Sequence, residues 1–307
     1  MQDTGRTGRA AVIGLGSMGL GMALSLRRAG FDVAGCDLSA AAVERLVAAG
    51  GTGAGTPAEA AAGADIVVSV VVNAAQTESV LFGEAGCAGS MQEGAVFVSS
   101  ATMAPEAARG MAERLEATGR HYLDAPISGG AQRAAEGALT ILASGSAAAF
   151  AASRPALDAM AAKLYELGDA PGTGAAFKMV NQLLAGVHIA AACEAIAFAA
   201  RQGLDIRKVY EVITASAGNS WMFENRIPHV LDGDYAPRSA VDIFTKDLGI
   251  VMDMARSGKF PVPVAGAALQ MFLMTAAAGM GRDDDASVAR LYAQIAGLDL
   301  PGAKKEG

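Results

Sequence analysis

The stretch Gly14-Leu15-Gly16-Ser17-Met18-Gly19 lies between a short apolar run, residues 10–13, and a helix-patterned segment, residues 18–29. No other stretch constrains the fold as tightly. A second strand pattern over residues 31–36 follows Gly30 and ends at Asp37. In such a unit the first glycine allows a tight turn and the second lets the backbone approach a pyrophosphate. The third packs helix on strand, while free amides at the helix start face the anion. Asp37 is placed to accept hydrogen bonds from adenosine ribose hydroxyls and to repel a 2′-phosphate. Leu38 follows it and supplies no cation to neutralise one. The residues therefore predict a dinucleotide site that takes NAD in preference to NADP.

The alternation continues down the chain. Ser39 is placed to cap a helix reaching Val47, and Thr56-Pro57-Ala58-Glu59 has capping-box spacing with proline at the first helical position. Residues 65–72 form a continuous β-branched run, as expected of a strand buried on both faces. Strands over 95–100 and 121–126 flank a helix over 105–118, so the pattern predicts a doubly wound parallel sheet. Ligands of such sheets bind beyond the carboxyl ends of the strands. That places Val72, the last residue of one strand, Asn73 after it, and Thr102, after the next strand, beside the cofactor; a cluster that caps the following helix fits Thr102 equally. Ser128-Gly129-Gly130 follows another strand, where hydroxyl and amides can grip a carboxylate. A plain turn fits these three residues as well.

Composition narrows the class. With a net charge of −7 over 307 residues, the chain lacks the basic surface that nucleic-acid binding needs. No apolar run approaches the ~20 residues of a bilayer span. Residues 1–9 carry no signal-peptide core and read as a loose leader. Cys36, Cys87 and Cys193 are isolated, and His121, His188 and His229 show no ligand spacing, so neither disulfide nor metal is expected. A reduced, cytoplasmic protein is the expectation.

Past Gly168 the strand signals stop. Helical patterns cover 174–201, 205–216, 221–231, 241–257, 264–279 and 286–296, which divides the chain into residues 1–170 and an all-helical 171–307. The first helix carries Phe177, Val180, Leu184, Val187, Ala191 and Phe198 at helical spacing, which predicts that stripe as its core-facing side. Lys178, Asn181 and Gln182 share a polar stripe, since Gln182 falls ~40° and Asn181 ~60° from Lys178 around the helix. Only seven of the 24 basic residues are lysine. Lys178 and Lys246 thus stand where arginine, the commoner choice, could not carry a proton. Asp283-Asp284-Asp285 reads as an acidic helix start favoured by the dipole rather than as a metal site.

Taken in order, Gly14 to Gly19, Asp124-Ala125-Pro126-Ile127-Ser128-Gly129-Gly130, the segment from Gly172 through Lys178 to Gln182, and Phe244-Thr245-Lys246-Asp247-Leu248 resemble the β-hydroxyacid dehydrogenase family. That family includes 3-hydroxyisobutyrate dehydrogenase, tartronate semialdehyde reductase and, more distantly, 6-phosphogluconate dehydrogenase. Within it, the stretches 217–225 and 282–285 look most like the branch acting on L-threonate. The resemblance implies a Rossmann domain, NAD as cofactor, and homodimers or homotetramers that pair helical domains. It implies Lys178 as acid/base, Ser128, Gly129 and Gly130 as carboxylate binders, and Thr102 and Lys246 lining the cofactor site. Much of the family has asparagine four positions after the lysine, where this chain has Gln182; Asn181 precedes it.

A small hydroxy acid is then the expected substrate, held by its carboxylate with its hydroxyl at Lys178 in a cleft between the two halves. Desolvation and the cationic nicotinamide would lower a lysine pKa from its usual ~10.4 toward a useful range. The alternatives are 3-hydroxyisobutyrate or tartronate semialdehyde chemistry, or a non-catalytic NAD-binding module.

Overall fold

The computed structural model describes residues 8–303, and the chain divides after Lys178 into two units. In the first, β1 (Arg9–Ile13), β2 (Asp32–Cys36), β3 (Thr52–Gly53), β4 (Ile66–Ser69), β5 (Val96–Ser99) and β6 (His121–Asp124) form one sheet in the order β3-β2-β1-β4-β5-β6. Every neighbouring pair is parallel. Helices α1 (Gly19–Arg28), α2 (Ala40–Ala48), α3 (Pro57–Ala61), α4 (Ala74–Phe82) and α5 (Pro105–Glu116) connect the strands. Side chains of a strand alternate between faces: Ala10 and Val12 of β1 join one buried cluster, Ala11 and Ile13 the other. A sheet covered on both faces, with its order reversing between β1 and β4, is the doubly wound Rossmann arrangement that the alternation predicted.

Local differences have local causes. The strand expected over 65–72 ends at Ser69, because β1 beside it ends at Ile13. Ser39 precedes α2 without a side-chain cap, and its amide instead donates to Asp37 Oδ1 at 2.7 Å. Thr56 Oγ1 accepts from the Glu59 amide as expected, but the Glu59 carboxylate accepts from the Gly55 amide, one residue upstream of the usual box.

The sequence reading missed a second sheet. β7 (Ile127–Ser128), β8 (Leu139–Ala143) and β9 (Ala161–Glu166) lie in that order, β7 antiparallel and β9 parallel to β8. Helices α6 (Gly130–Glu136) and α7 (Ala147–Met160) link them.

α8 (Thr173–Arg201) carries the chain across the division into an all-helical unit. There follow α9 (Ile206–Thr214), α10 (Trp221–Asp232), α11 (Val241–Ser257), α12 (Pro263–Thr275) and α13 (Val288–Ala296). On α8 the expected faces are exchanged. Phe177, Val180, Leu184 and Phe198 are 52%, 63%, 49% and 65% exposed, while Lys178 and Gln182 are 8% and 7% exposed. α8 is apolar on nearly every side, so periodicity could not choose its inner face. Met179, Ile189, Cys193 and Ile196 fill that face.

Thr173–Arg201 and Pro263–Met280 reach the length and hydropathy of a membrane span, against the expectation that no run does. Alanine supplies much of that hydropathy, and half of the α8 window is buried inside the fold. The expected loose leader falls largely on residues 1–7, outside the described residues.

The aspartate triplet is the acidic helix start expected of it: Asp284 caps the short turn 285–287 that leads into α13, its side chain accepting from the Ala286 amide. Asp284 and Asp285 are buried, and the three carboxylates pair with Arg290, His229 and Arg226 respectively. Burial pushes Asp285 up to about 6, whereas the His229 and Arg238 hydrogen bonds outweigh burial and hold Asp284 below the usual carboxylate range. Among the described residues no cluster suits a metal ion.

Candidate active site

At the carboxyl end of β1 the chain turns sharply into α1. A Cβ on Gly19 would lie 1.8 Å from the Gly14 carbonyl, so only glycine lets helix and turn approach this closely. A Cβ on Gly16 would meet nothing within 4 Å, which leaves the turn open on that side. α1 begins without a side-chain cap and without an acidic residue in its first turn. Its positive end is thus left for an external anion, as a pyrophosphate site requires. Asp37 stands at the rim, its Oδ2 accepting from the Leu15 amide at 2.6 Å and its Oδ1 from the Ser39 amide. The residues fit a dinucleotide.

The neighbouring strand ends contribute loops. Val72 is exposed, and its amide donates to Gln76 Oε1. Asn73 caps α4 through Oδ1, so its side chain already serves the helix. Thr102 lies half-buried between β5 and α5.

The second sheet explains how the lysine helix is placed. β6 ends at Asp124, and three residues later Ile127 opens β7. Lys178 Nζ donates to the Ile127 carbonyl at 2.8 Å. Ile127 immediately precedes Ser128, Gly129 and Gly130, and both glycines adopt positive φ (137° and 76°) that an L side chain would resist. The head of α8 is held too. Asp124 Oδ2 accepts from the amides of Gly172 and Ala175 at 2.9 and 2.8 Å, while the Gly174 amide donates to Ser144 Oγ at 2.9 Å. Burial pushes Asp124 up to about 6, against the pull of these donors and of Arg109.

In the helical unit the amides have defined partners. Gln182 Nε2 donates to Asp247 Oδ2 at 2.5 Å, Asn181 Nδ2 donates to Gln182 Oε1 at 2.9 Å, and Lys246 Nζ lies 2.7 Å from Asp247 Oδ1. The Gln182 amide thus turns its Nε2 to the Asp247 carboxylate and its Oε1 to Asn181. Gln182, one turn beyond Lys178, is buried; Asn181 is half-buried.

Sequence reasoning missed Asp124, Ser144 and Asp247 as structural partners. Asp124 and Asp247 lie within recognised motifs, yet nothing in a lone aspartate announces which distant amides it will meet. Ser144 carried no signal at all.

The sheet order and the open glycine turn are those of a dinucleotide-binding protein, and the relatives of this chain make it a nicotinamide-dinucleotide-dependent oxidoreductase acting on a CH–OH group. The family model described as the NAD binding domain of 6-phosphogluconate dehydrogenase matches residues 9–168. A second, described as NAD-binding of NADP-dependent 3-hydroxyisobutyrate dehydrogenase, matches 172–292. The chain belongs to the β-hydroxyacid dehydrogenase family. It is similar to the L-threonate dehydrogenase of Cupriavidus necator, at 53% identity over 95% of this chain and 97% of that one. The 3-hydroxyisobutyrate dehydrogenase of Pseudomonas aeruginosa is 33% identical over 92% of this chain and 97% of its own. A crystal structure from Salmonella typhimurium, named 3-hydroxyisobutyrate dehydrogenase, superposes with a TM-score of 0.89 at 49% identity, covering 92% of this chain and 99% of that one.

Proposed function

We propose that the chain oxidises L-threonate at its 2-hydroxyl to 2-dehydro-L-erythronate, with NAD preferred over NADP and Lys178 as the general acid/base. One observation carries the reading: Lys178 Nζ is held at the Ile127 carbonyl, one residue before the Ser128-Gly129-Gly130 cradle. The substrate carboxylate binds at Ser128 and the two glycine amides, with its hydroxyl directed at Nζ. Neutral Lys178 takes the hydroxyl proton as the C–H bond breaks and the C=O bond forms; in the reverse direction its ammonium returns that proton. Bound NAD supplies the hydride acceptor. Proton transfer from a positioned group contributes roughly 10²–10⁴-fold.

The open turn from Gly14 to Gly19, with Val72, Asn73 and Thr102 on adjacent loops, holds the cofactor; for Lys246 a cofactor role rests on the family resemblance alone. Asp37 at the rim and uncharged Leu38 beside it support NAD over NADP. Gln182, on the buried side of α8 with Lys178, is the amide that orients the substrate; Asn181 supports Gln182. The cofactor domain comprises residues 1–170 together with the first turns of α8, which Asp124 holds, and the rest of 171–307 forms a substrate and oligomerisation domain. The exposed apolar stripe on α8 supports a homodimer or homotetramer, which we place in the cytoplasm.

The 53% identity to an L-threonate dehydrogenase, against 33% to a 3-hydroxyisobutyrate dehydrogenase, supports the substrate. The name of the Salmonella structure favours the second reading, 3-hydroxyisobutyrate. Parallel assays of L-threonate, 3-hydroxyisobutyrate and glycerate, each with NAD and NADP, decide between them. The highest kcat/KM should fall to L-threonate with NAD, and a larger value for either other acid refutes the substrate.

A further inference from the structure

We propose that Asp124 and Ser144 are positioning residues that set where Lys178 stands, by gripping the first turn of α8; the inference rests on Lys178 being the proton carrier. A single carboxylate oxygen, Asp124 Oδ2, collects the Gly172 amide, the Ala175 amide and, at 3.3 Å, the Ser144 hydroxyl. Ser144 Oγ takes the Gly174 amide between them. The two anchors are fixed to each other, since the backbones of Asp124 and Ser144 exchange hydrogen bonds at 3.0 and 2.8 Å. Both side chains are buried, so water does not compete for these donors.

Lys178 is held from the same segment of chain. Asp124 grips the start of the helix, and Ile127, three residues on, accepts from Nζ. The grip leaves no slack at Gly174. A Cβ there would lie 2.3 Å from the Leu142 carbonyl and 3.0 Å from the Asp124 carbonyl. The helix start thus rests directly on backbone, and any side chain at 174 must push it away, moving Lys178 with it. A displacement of about 1 Å at a reacting group costs on the order of 10²-fold in rate.

The test uses the full chain and the substrate and cofactor of the parallel assay. Asp124→Ala removes the acceptor, Asp124→Asn restores one oxygen without charge, and Gly174→Ala displaces the helix start while leaving every polar group in place. Asp124→Ala and Gly174→Ala should lower kcat by about 10- to 100-fold. They should also move the pH at which kcat rises, with NAD affinity by fluorescence titration within about twofold. Asp124→Asn should stay within about threefold of wild type, because all three bonds go to one oxygen. Ser144→Ala, a smaller change, should give an intermediate loss, and it replaces any variant that melts below the assay temperature. A folded Gly174→Ala or Asp124→Ala with wild-type kcat and pH profile overturns the proposal. So does an Asp124→Asn as slow as Asp124→Ala, since charge would then matter rather than placement. Lys178→Ala separates the two ideas. If it is inactive while Gly174→Ala is unimpaired, only the positioning role fails; if it is active, the reading of Lys178 fails.

Discussion

Lys178 Nζ and the Ile127 carbonyl meet at 2.8 Å across 51 positions of chain. That bond joins the one buried lysine of α8 to the strand that carries Ser128, so the residues proposed as proton carrier and carboxylate binder lie together in the first unit.

Replacing the carrier should therefore abolish chemistry without disturbing the cofactor. Lys178→Ala is expected to lower kcat by roughly 10²–10⁴-fold, with the Kd for NAD nearly unchanged by fluorescence titration. A variant retaining half the wild-type rate rules Lys178 out.

Cofactor choice should move with Asp37. Its carboxylate accepts from the Leu15 and Ser39 amides at the rim of the turn. Asp37→Asn keeps an acceptor there but removes the charge that repels a 2′-phosphate. One charge-assisted bond is worth about 1.5–3 kcal/mol, so the ratio of kcat/KM for NAD over NADP should fall at least about tenfold. Steady-state kinetics with both cofactors measure it, and an unchanged ratio assigns the preference to other residues.

The exposed stripe on α8 predicts assembly. Leu184 and Phe198 are about half exposed or more, and an apolar patch of this kind marks an interface. Wild type should run in light scattering at a multiple of 30.8 kDa, and Leu184→Glu with Phe198→Glu should shift it to the monomer. A monomeric wild type disproves the assembly.

Asp124 also ties stability to pH. Its folded-state pKa of about 6 lies above the unfolded value of 3.8. The folded protein binds this proton more tightly, so the group's contribution is fully present below about pH 4 and is lost as pH rises through 6. Arg109 on α5, Tyr122 on β6, the Ser144 hydroxyl and the α8 amides face it. Asparagine has no proton to lose. The stability of Asp124→Asn minus that of wild type should thus rise between pH 4 and 7, by at most roughly 3 kcal/mol, and level off above. Denaturant melts across that range test the slope, and a flat difference removes Asp124 from the pH response.

The legible part of this molecule was whatever its local sequence determines. β1, the turn and α1 follow from glycine spacing and β-branched runs, and α11 begins and ends where its pattern does. The small sheet escaped notice because β7 has only two residues and β9 pairs in parallel with β8 across a whole intervening helix. Neither leaves a period to read. α8 misled in a more instructive way. A stripe of large apolar residues usually marks the core side, but here Lys178 and Gln182 occupy the buried face and Phe177 and Val180 the open one. Burying a lysine is costly unless it finds partners, and its partner, a backbone carbonyl, is invisible in side-chain patterns.

The hold of Asp124 on α8 reaches beyond catalysis, to where this chain can be cut. A fragment ending at residue 170 would keep every strand of both sheets yet lose Gly172 and Ala175, leaving a buried carboxylate without its backbone donors. An unsatisfied buried group costs about 1–3 kcal/mol, more when charged. The opening turns of the helix thus belong, as a folding unit, to the sheets that precede them, and a self-sufficient NAD-binding fragment must carry residues through at least Lys178.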